Sequence, residues 1–342
     1  MIPLPRFELH SPKTLAEAIA ALAHSNGGAN ILAGGTDLIA NIKHGVAKPE
    51  RVVWLGKLPE MRAISFTPEL GLRIGAMCTL NEIAASSSVQ QYYPAIAEAA
   101  NSVASPAIRN CATLGGNLCQ DTRCFYYNQS EFWRSALGGC IKARILPASN
   151  GAICHATPGL AKCAAVFCSD LAPLLIALSA SVKLMNQRGE RTIDLAELYR
   201  DDGANHLTLQ PGEIVTEVSI PTAEPNQFSV YKKLRDRRSI DFALVNVGLN
   251  IVLDSELTCR HAKIVIGAVQ SIPVEIQTAE AIFVNHRLTT ELIGRVAEEA
   301  ASAVTPVPNV DEPVGYRKRM VRVLVERALS EIWSRASKKS TS

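Results

Sequence analysis

The chain has 342 residues, 47% of them apolar and 20% charged, with a formal net charge of +3. That length supports two or three domains with cores of their own, and the composition is that of an ordinary soluble globular protein. So small a charge excess, with no basic stretch interleaved with aromatics, argues against a nucleic-acid partner. The opening MIPLPRFELH has neither the basic nor the apolar region of a signal peptide. The most apolar stretch, residues 171–180, is too short for a membrane span and begins beside Asp170. A cytoplasmic setting is therefore expected, in which nine cysteines stay reduced and do not form a disulfide framework.

In chain order, Thr14 with Glu17 three residues on predicts a capping box for a helix running through Ala23. Two short apolar runs follow, 30–33 and 51–55, so the beginning reads as an α/β unit. Residues 71–76 read as a strand, 79–85 as a short helix capped by Thr79, and 92–103 as a helix. All but two of the cysteines then fall within 111–168, a stretch rich in Gly, Asn and Pro that reads as an irregular excursion. Regular structure returns with a helix at Leu171 and a strand over 181–184. Alternation over 242–253 and 262–269 predicts antiparallel strands. Two helices close the chain, 290–303 and 316–335, the last with Met320, Val321, Val323, Leu324, Ala328, Leu329 and Ile332 at helical spacing. Lys338 and Lys339 sit in a polar tail that should fray.

Leu32-Ala33-Gly34-Gly35-Thr36-Asp37-Leu38 carries an apolar run into paired glycines. Glycines accept positive φ and let a phosphate approach the backbone N–H groups with no Cβ in the way. Taken alone, the loop is more simply a strand-to-helix turn, and it is neither a P-loop nor GxGxxG. A second Gly-Gly loop, residues 108–118 with Thr113, Gly116 and Asn117, could close on the same extended ligand from the other side. Ser169-Asp170 offers a carboxylate for a hydroxyl-rich chain. The charged run from Tyr231 to Ala243 could be no more than a solvated strand edge.

These four pieces, in this order, resemble the FAD-binding medium subunit of the molybdenum hydroxylases, the superfamily of xanthine dehydrogenase and carbon monoxide dehydrogenase. The resemblance implies an α+β fold. A two-part FAD-binding domain of the vanillyl-alcohol-oxidase type (1–58 and 59–225) would precede a smaller α/β domain of the CO dehydrogenase flavoprotein type (226–335) and a disordered tail (336–342). It implies that Leu32, Ala33, Gly34, Gly35, Thr36, Asp37 and Leu38 wrap the FAD pyrophosphate. Thr113, Gly116 and Asn117 would lie along the phosphates and ribityl, Asp170 would bind a ribityl or ribose hydroxyl, and Lys233 would approach the flavin ring, with Lys232 as its rival. A cation there stabilises the anionic reduced flavin.

Most members pass directly from the second glycine loop to Ser-Asp. The insertion 119–167 of this chain departs from that pattern and resembles the insertion in the β subunit of 4-hydroxybenzoyl-CoA reductase, which carries an additional 4Fe–4S cluster. Asp121-Thr122-Arg123-Cys124-Phe125-Tyr126-Tyr127-Asn128-Gln129 and Trp133-Arg134 carry this likeness. Cys124, Cys140, Cys154 and Cys163 would be the ligands, with a longer middle interval that residues 144–151 absorb as a loop. Cys168 is the substitute for Cys163, and His155 reads as a loop histidine. No CxxC pair favours a structural zinc.

The implied function is an FAD and 4Fe–4S electron-transfer subunit of a heterotrimeric molybdenum enzyme, with no catalytic residues of its own. Its partners would be a molybdopterin-binding large subunit and a 2Fe–2S small subunit, two copies of each forming a heterohexamer. In the reductase direction, a low-potential donor such as ferredoxin feeds the cluster, and an aromatic CoA thioester loses its phenolic hydroxyl at molybdenum. In the alternative, a hydroxylase or aldehyde dehydrogenase sends electrons from substrate through FAD to an acceptor. A free-standing flavoprotein oxidase or a zinc-stabilised scaffold explains the cysteine segment less well.

Overall fold

The computed structural model describes residues 3–24, 28–143, 153–308 and 312–340, so the loop expected over 144–151 lies outside the described residues. Strands β1 (Glu8–His10), β2 (Ala29–Leu32) and β3 (Arg51–Trp54) form a parallel sheet in the order β1-β3-β2. Parallel neighbours need a crossover, and α1 (Leu15–Ala23) supplies the first. The Thr14 hydroxyl accepts the Glu17 N–H at 3.2 Å, but the Glu17 carboxylate takes the N–H of Lys13, at 2.8 Å, instead of that of Thr14. The full reciprocal box forms at Thr79 and Glu82 instead. After β2 the first glycine loop leads into α2 (Leu38–Lys43).

A second, antiparallel sheet has the order β4-β5-β8-β6-β7, from β4 (Ile64–Thr67), β5 (Gly71–Gly75), β6 (Ser181–Asn186), β7 (Gly189–Asp194) and β8 (Ile214–Ile220). Between β5 and β6 lies a helical stretch: α3 (Leu80–Ala85), α4 (Ser87–Tyr92), α5 (Pro94–Asn101), α6 (Pro106–Arg109), α7 (Leu114–Cys119), α8 (Glu131–Ala136) and α9 (Ala172–Ala177). The helix expected over 92–103 is α5, and a separate short helix, α4, precedes it. Pro94 has no N–H to continue α4 and instead starts α5 at its first turn. Both sheets share one core with α3, α5 and α9.

The third sheet is antiparallel, β12-β11-β10-β9, from β9 (Gln227–Leu234), β10 (Val245–Leu253), β11 (Cys259–Gly267) and β12 (Val274–Glu275). Helices α10 (Gln277–Phe283), α11 (Thr290–Ala303) and α12 (Val314–Ser340) cover one face. Val245, Val247, Leu249 and Ile251 of β10 point into that core. On the opposite face Gly248 meets α9, where a Cβ would stand 2.3 Å from the Leu174 nitrogen. β10 is therefore buried on both faces and joins the two cores. The last helix continues to Ser340, through most of the segment expected to be an unstructured tail. Among the described residues no helix is long and apolar enough to cross a membrane.

Candidate functional site

A cavity of about 620 Å³ opens where the first and second sheets meet the loop that joins β9 to β10, within the range of about 300–1,000 Å³ usual for ligand pockets. Both glycine loops line it. They lie back to back, since a Cβ on Gly34 would fall 1.8 Å from the Cys111 carbonyl oxygen. Gly35 has φ +77°, a left-handed conformation that favours glycine. Thr113 caps α7, its hydroxyl accepting the Gly116 N–H at 3.1 Å. Ala33, Gly34, Gly35, Thr36, Asp37, Leu38, Thr113, Gly116, Asn117 and Asp170 all line the cavity. Glycines that let a phosphate approach the backbone with no Cβ in the way, beside an apolar extension, suit a dinucleotide such as FAD.

Leu32 and Lys233 are not on the cavity wall. Leu32 ends β2 opposite Trp54. Lys233 lies behind Asp170, with its ammonium 2.8 Å from that carboxylate, 3.2 Å from the Ser102 carbonyl and 3.1 Å from the Asp241 carbonyl. All three of its protons thus have acceptors. Its rival Lys232 faces the other way and pairs with Glu331 of α12 at 2.5 Å. Asp170 also accepts the Tyr231 hydroxyl at 2.7 Å. Burial, then the Asp170 charge, holds that phenol well above its usual range, so it remains a donor. Asn117 accepts the Ser169 hydroxyl at 2.7 Å, tying the second glycine loop to the Ser-Asp turn.

The insertion reaches the cavity too. Arg123 forms an ion pair with Asp37, and Asp37 also accepts the Asp121 N–H at 3.1 Å. The Arg123 guanidinium carbon lies 4.9 Å from the Phe242 ring centre. Arg123, Ile240 and Phe242 are wall residues to which the sequence assigned no role. They lie in stretches the sequence singles out, but long-range packing is what brings them together on one wall.

Further into the insertion, Cys124, Cys154 and Cys163 share a small apolar cluster with Ala156, Ala164 and Ala165. Cys140 is likewise buried, and its sulfur accepts the Ala143 N–H at 3.3 Å, as that of Cys163 accepts the Ala165 N–H at 3.3 Å. Burial pushes the Cys124 thiol up, and Cys154 and Cys140 add to the shift. Burial likewise takes Cys163 up to about 12, with smaller contributions from Cys154 and Cys124. Cys124 therefore lies within electrostatic reach of Cys140, Cys154 and Cys163. Among the described residues, no group of three or more His, Cys, Asp or Glu is arranged for a single metal ion. His155 faces the Gly139 carbonyl at 2.7 Å and stacks on Tyr126. Cys119 and Cys168 line the cavity, and Cys168 donates to the Asp121 carbonyl at 3.3 Å.

Residues 5–223 match the family described as the FAD binding domain in molybdopterin dehydrogenase, and residues 229–332 match the CO dehydrogenase flavoprotein C-terminal domain. The chain belongs to this family of FAD-binding oxidoreductase subunits, the medium subunits of the molybdenum hydroxylase and CO dehydrogenase group. It is 27% identical over 337 residues to the carbon monoxide dehydrogenase medium chain of Hydrogenophaga pseudoflava, covering 98% of this chain and 100% of that one. It is 33% identical over 260 residues to the FAD-binding subunit of an Escherichia coli aldehyde oxidoreductase, covering 74% and 79%. A solved carbon monoxide dehydrogenase from H. pseudoflava, lacking the Mo-pyranopterin moiety of its cofactor, superposes with a TM-score of 0.79 at 26% identity over 97% of this chain and 99% of that one. The mixed α/β fold expected from the resemblance is the fold observed.

Proposed function

We propose that the chain is the FAD subunit of a molybdenum hydroxylase or aldehyde dehydrogenase, receiving electrons from substrate and passing them to an acceptor. The observation that carries this reading is the cavity between the paired glycine loops, inside the segment matched to the FAD-binding family. The names of the relatives, dehydrogenases and oxidoreductases, favour the oxidative direction. Substrate would be oxidised on a molybdopterin-binding large partner and electrons would arrive through a 2Fe–2S small partner, in a cytoplasmic heterohexamer of two heterotrimers. Bound FAD supplies exchange of one or two electrons. The chain's own residues bind and orient it. The glycine loops let the cofactor approach their backbone closely, Asp170 is held as an acceptor by Lys233 and Tyr231, and Ile240 with Phe242 walls the cavity on the side of the third sheet.

A second reading is favoured by the buried thiols. Cys124, Cys140, Cys154 and Cys163 would hold a 4Fe–4S cluster, and a ferredoxin-like donor would drive electrons inward, as in 4-hydroxybenzoyl-CoA reductase. A cluster places each thiolate on a different iron, so its ligands stand further apart than those of one metal ion. Backbone N–H groups directed at Cys140 and Cys163 sulfurs suit thiolate charge.

Anaerobically purified chain should contain about one FAD and about four irons, with an EPR signal on dithionite reduction. Cys124→Ser or Cys163→Ser should keep FAD and retain less than roughly half the iron. Flavin without iron removes the second reading and leaves the first. Full iron in both variants removes the ligand assignment, and a full-length chain that binds no FAD removes both readings.

A further inference from the structure

Among the described residues, seven other than glycine hold a positive φ. Two of them, Ala104 at +40° and Ile240 at +52°, line the cavity and are bonded to each other, the Ile240 N–H donating to the Ala104 carbonyl at 3.0 Å. Ile240 is the one β-branched residue of the seven, and a branched Cβ fits the left-handed region poorly. Strain of this kind persists only where the surroundings over-determine it, and it gathers at ligand clamps. Here the surroundings do so from both sides. Beside Ala104, the Ser102 carbonyl accepts Arg235 at 2.9 Å and the Val103 carbonyl accepts Arg109 at 2.8 Å. Beside Ile240, the Asp241 carboxylate accepts the N–H groups of Asp236 and Arg237 at 3.0 and 2.9 Å, and the Ile240 carbonyl accepts the Arg237 guanidinium at 2.9 Å.

The side chain that this latch delivers is Phe242, the only aromatic one among the described residues that line the cavity. The Arg123 guanidinium lies over its ring, yet Phe242 remains 47% exposed. A phenylalanine left half in water gains by packing against a flat aromatic ligand. We propose that Phe242 packs against the isoalloxazine ring of bound FAD, and that the Ala104–Ile240 latch is the positioning device that holds it there. The proposal rests on the FAD reading above. With the diphosphate at the glycine loops and the ribityl chain at the Ser-Asp turn, the ring beyond that chain comes to this loop. A single ammonium ties the two places together: Lys233 donates to the Asp170 carboxylate at 2.8 Å and to the Asp241 carbonyl, one residue before Phe242, at 3.1 Å. The strain at Ile240 thus has a use, since a relaxed loop would leave the phenylalanine free to turn outward.

The test is titration of FAD into deflavinated full-length chain, read by flavin emission and by circular dichroism of the visible flavin bands, with melting temperatures recorded in parallel. No tyrosine or tryptophan is among the described residues of the wall, so flavin bound to the wild type should stay emissive. Phe242→Ala should weaken FAD binding roughly 3- to 10-fold, the loss of one aromatic pair. Phe242→Trp should bind FAD but lose most of the emission, because an indole touching the ring donates an electron to the excited flavin. Phe242→Tyr serves the same purpose if the larger indole is not accommodated, and the dichroism decides if the wild type is already dark. Two changes at Ile240, each in the Phe242→Trp background, test the latch. Ile240→Gly keeps the N–H and accepts the positive φ, so emission should stay low. Ile240→Pro has no N–H and cannot reach that φ, so it should weaken binding and restore the emission of what is bound. Equal affinity and emission in the two Ile240 variants overturn the latch. Unchanged affinity in Phe242→Ala overturns the contact. Weaker binding there, with full emission and unaltered dichroism in Phe242→Trp and Phe242→Tyr, places the adenine half at this loop and overturns the proposal as well. A wild-type chain that takes up no FAD refutes the flavin reading itself.

Discussion

Asp170 and Lys233 are each almost fully buried, with side chains 5% and 4% exposed. An ion pair so enclosed contributes little net stability against apolar replacements, but removing one partner strands the other. Lys233→Met should therefore cost about 3–5 kcal/mol in urea unfolding, and Lys233→Met with Asp170→Asn should cost clearly less than the sum of the single changes. Additive losses would mean that the two residues act independently. The run containing Lys233 was visible in the sequence, as was its relation to the flavin motifs. Its placement behind Asp170 was not, because the ion pair joins β9 to a turn 63 residues away in the chain. The same applies to Arg123. Its neighbours Asp37 and Phe242 are each remote in sequence, and neither periodicity nor a motif encodes such a meeting.

At the scale of elements, local chemistry was a good guide where the local signal is strong. Thr79 caps its helix and α11 spans the expected residues. The apolar stripe of α12 packs on the third sheet. The signal failed where two local rules competed. Apolar periodicity started the helix expected over 92–103 two residues early, although a proline at a helix start is itself a recognisable mark. Alternation over 242–253 predicted the antiparallel strand β10 but not what covers its second face. Its small and amide residues, Asn246, Gly248 and Asn250, are buried, Gly248 against α9 and Asn246 against the preceding turn. Asn246 donates to the Ser169 carbonyl at 3.1 Å. Gly248 is the test of that packing. Gly248→Ala places a methyl group against the Leu174 backbone, which cannot move aside as a side chain can, so it should cost about 1–3 kcal/mol. Thermal unfolding measures this, and a neutral substitution would show that α9 and β10 can part without loss.

For the whole molecule, the cavity matters because its wall comes from both family domains. The glycine loops belong to residues 5–223, whereas Ile240, Asp241 and Phe242 belong to residues 229–332. Beneath it, β10 packs on α9 and Lys233 pairs with Asp170, so the two cores already share a buried contact. A ligand that binds only the assembled cavity stabilises both sides at once. By mass action, free FAD at about 100 times its dissociation constant adds about 2.7 kcal/mol to the folded state. Calorimetry of the full chain with and without FAD should then show one unfolding transition that moves upward as a unit. Two transitions, only the earlier of which responds to FAD, would mean that the third-sheet loop lines the cavity without holding the cofactor. The Phe242→Ala variant locates the coupling: it should reduce the FAD-induced upward shift while leaving the unliganded transition near its original temperature. Loss of stability without FAD would instead make Phe242 a structural contact of Arg123, with no part in gripping the ligand.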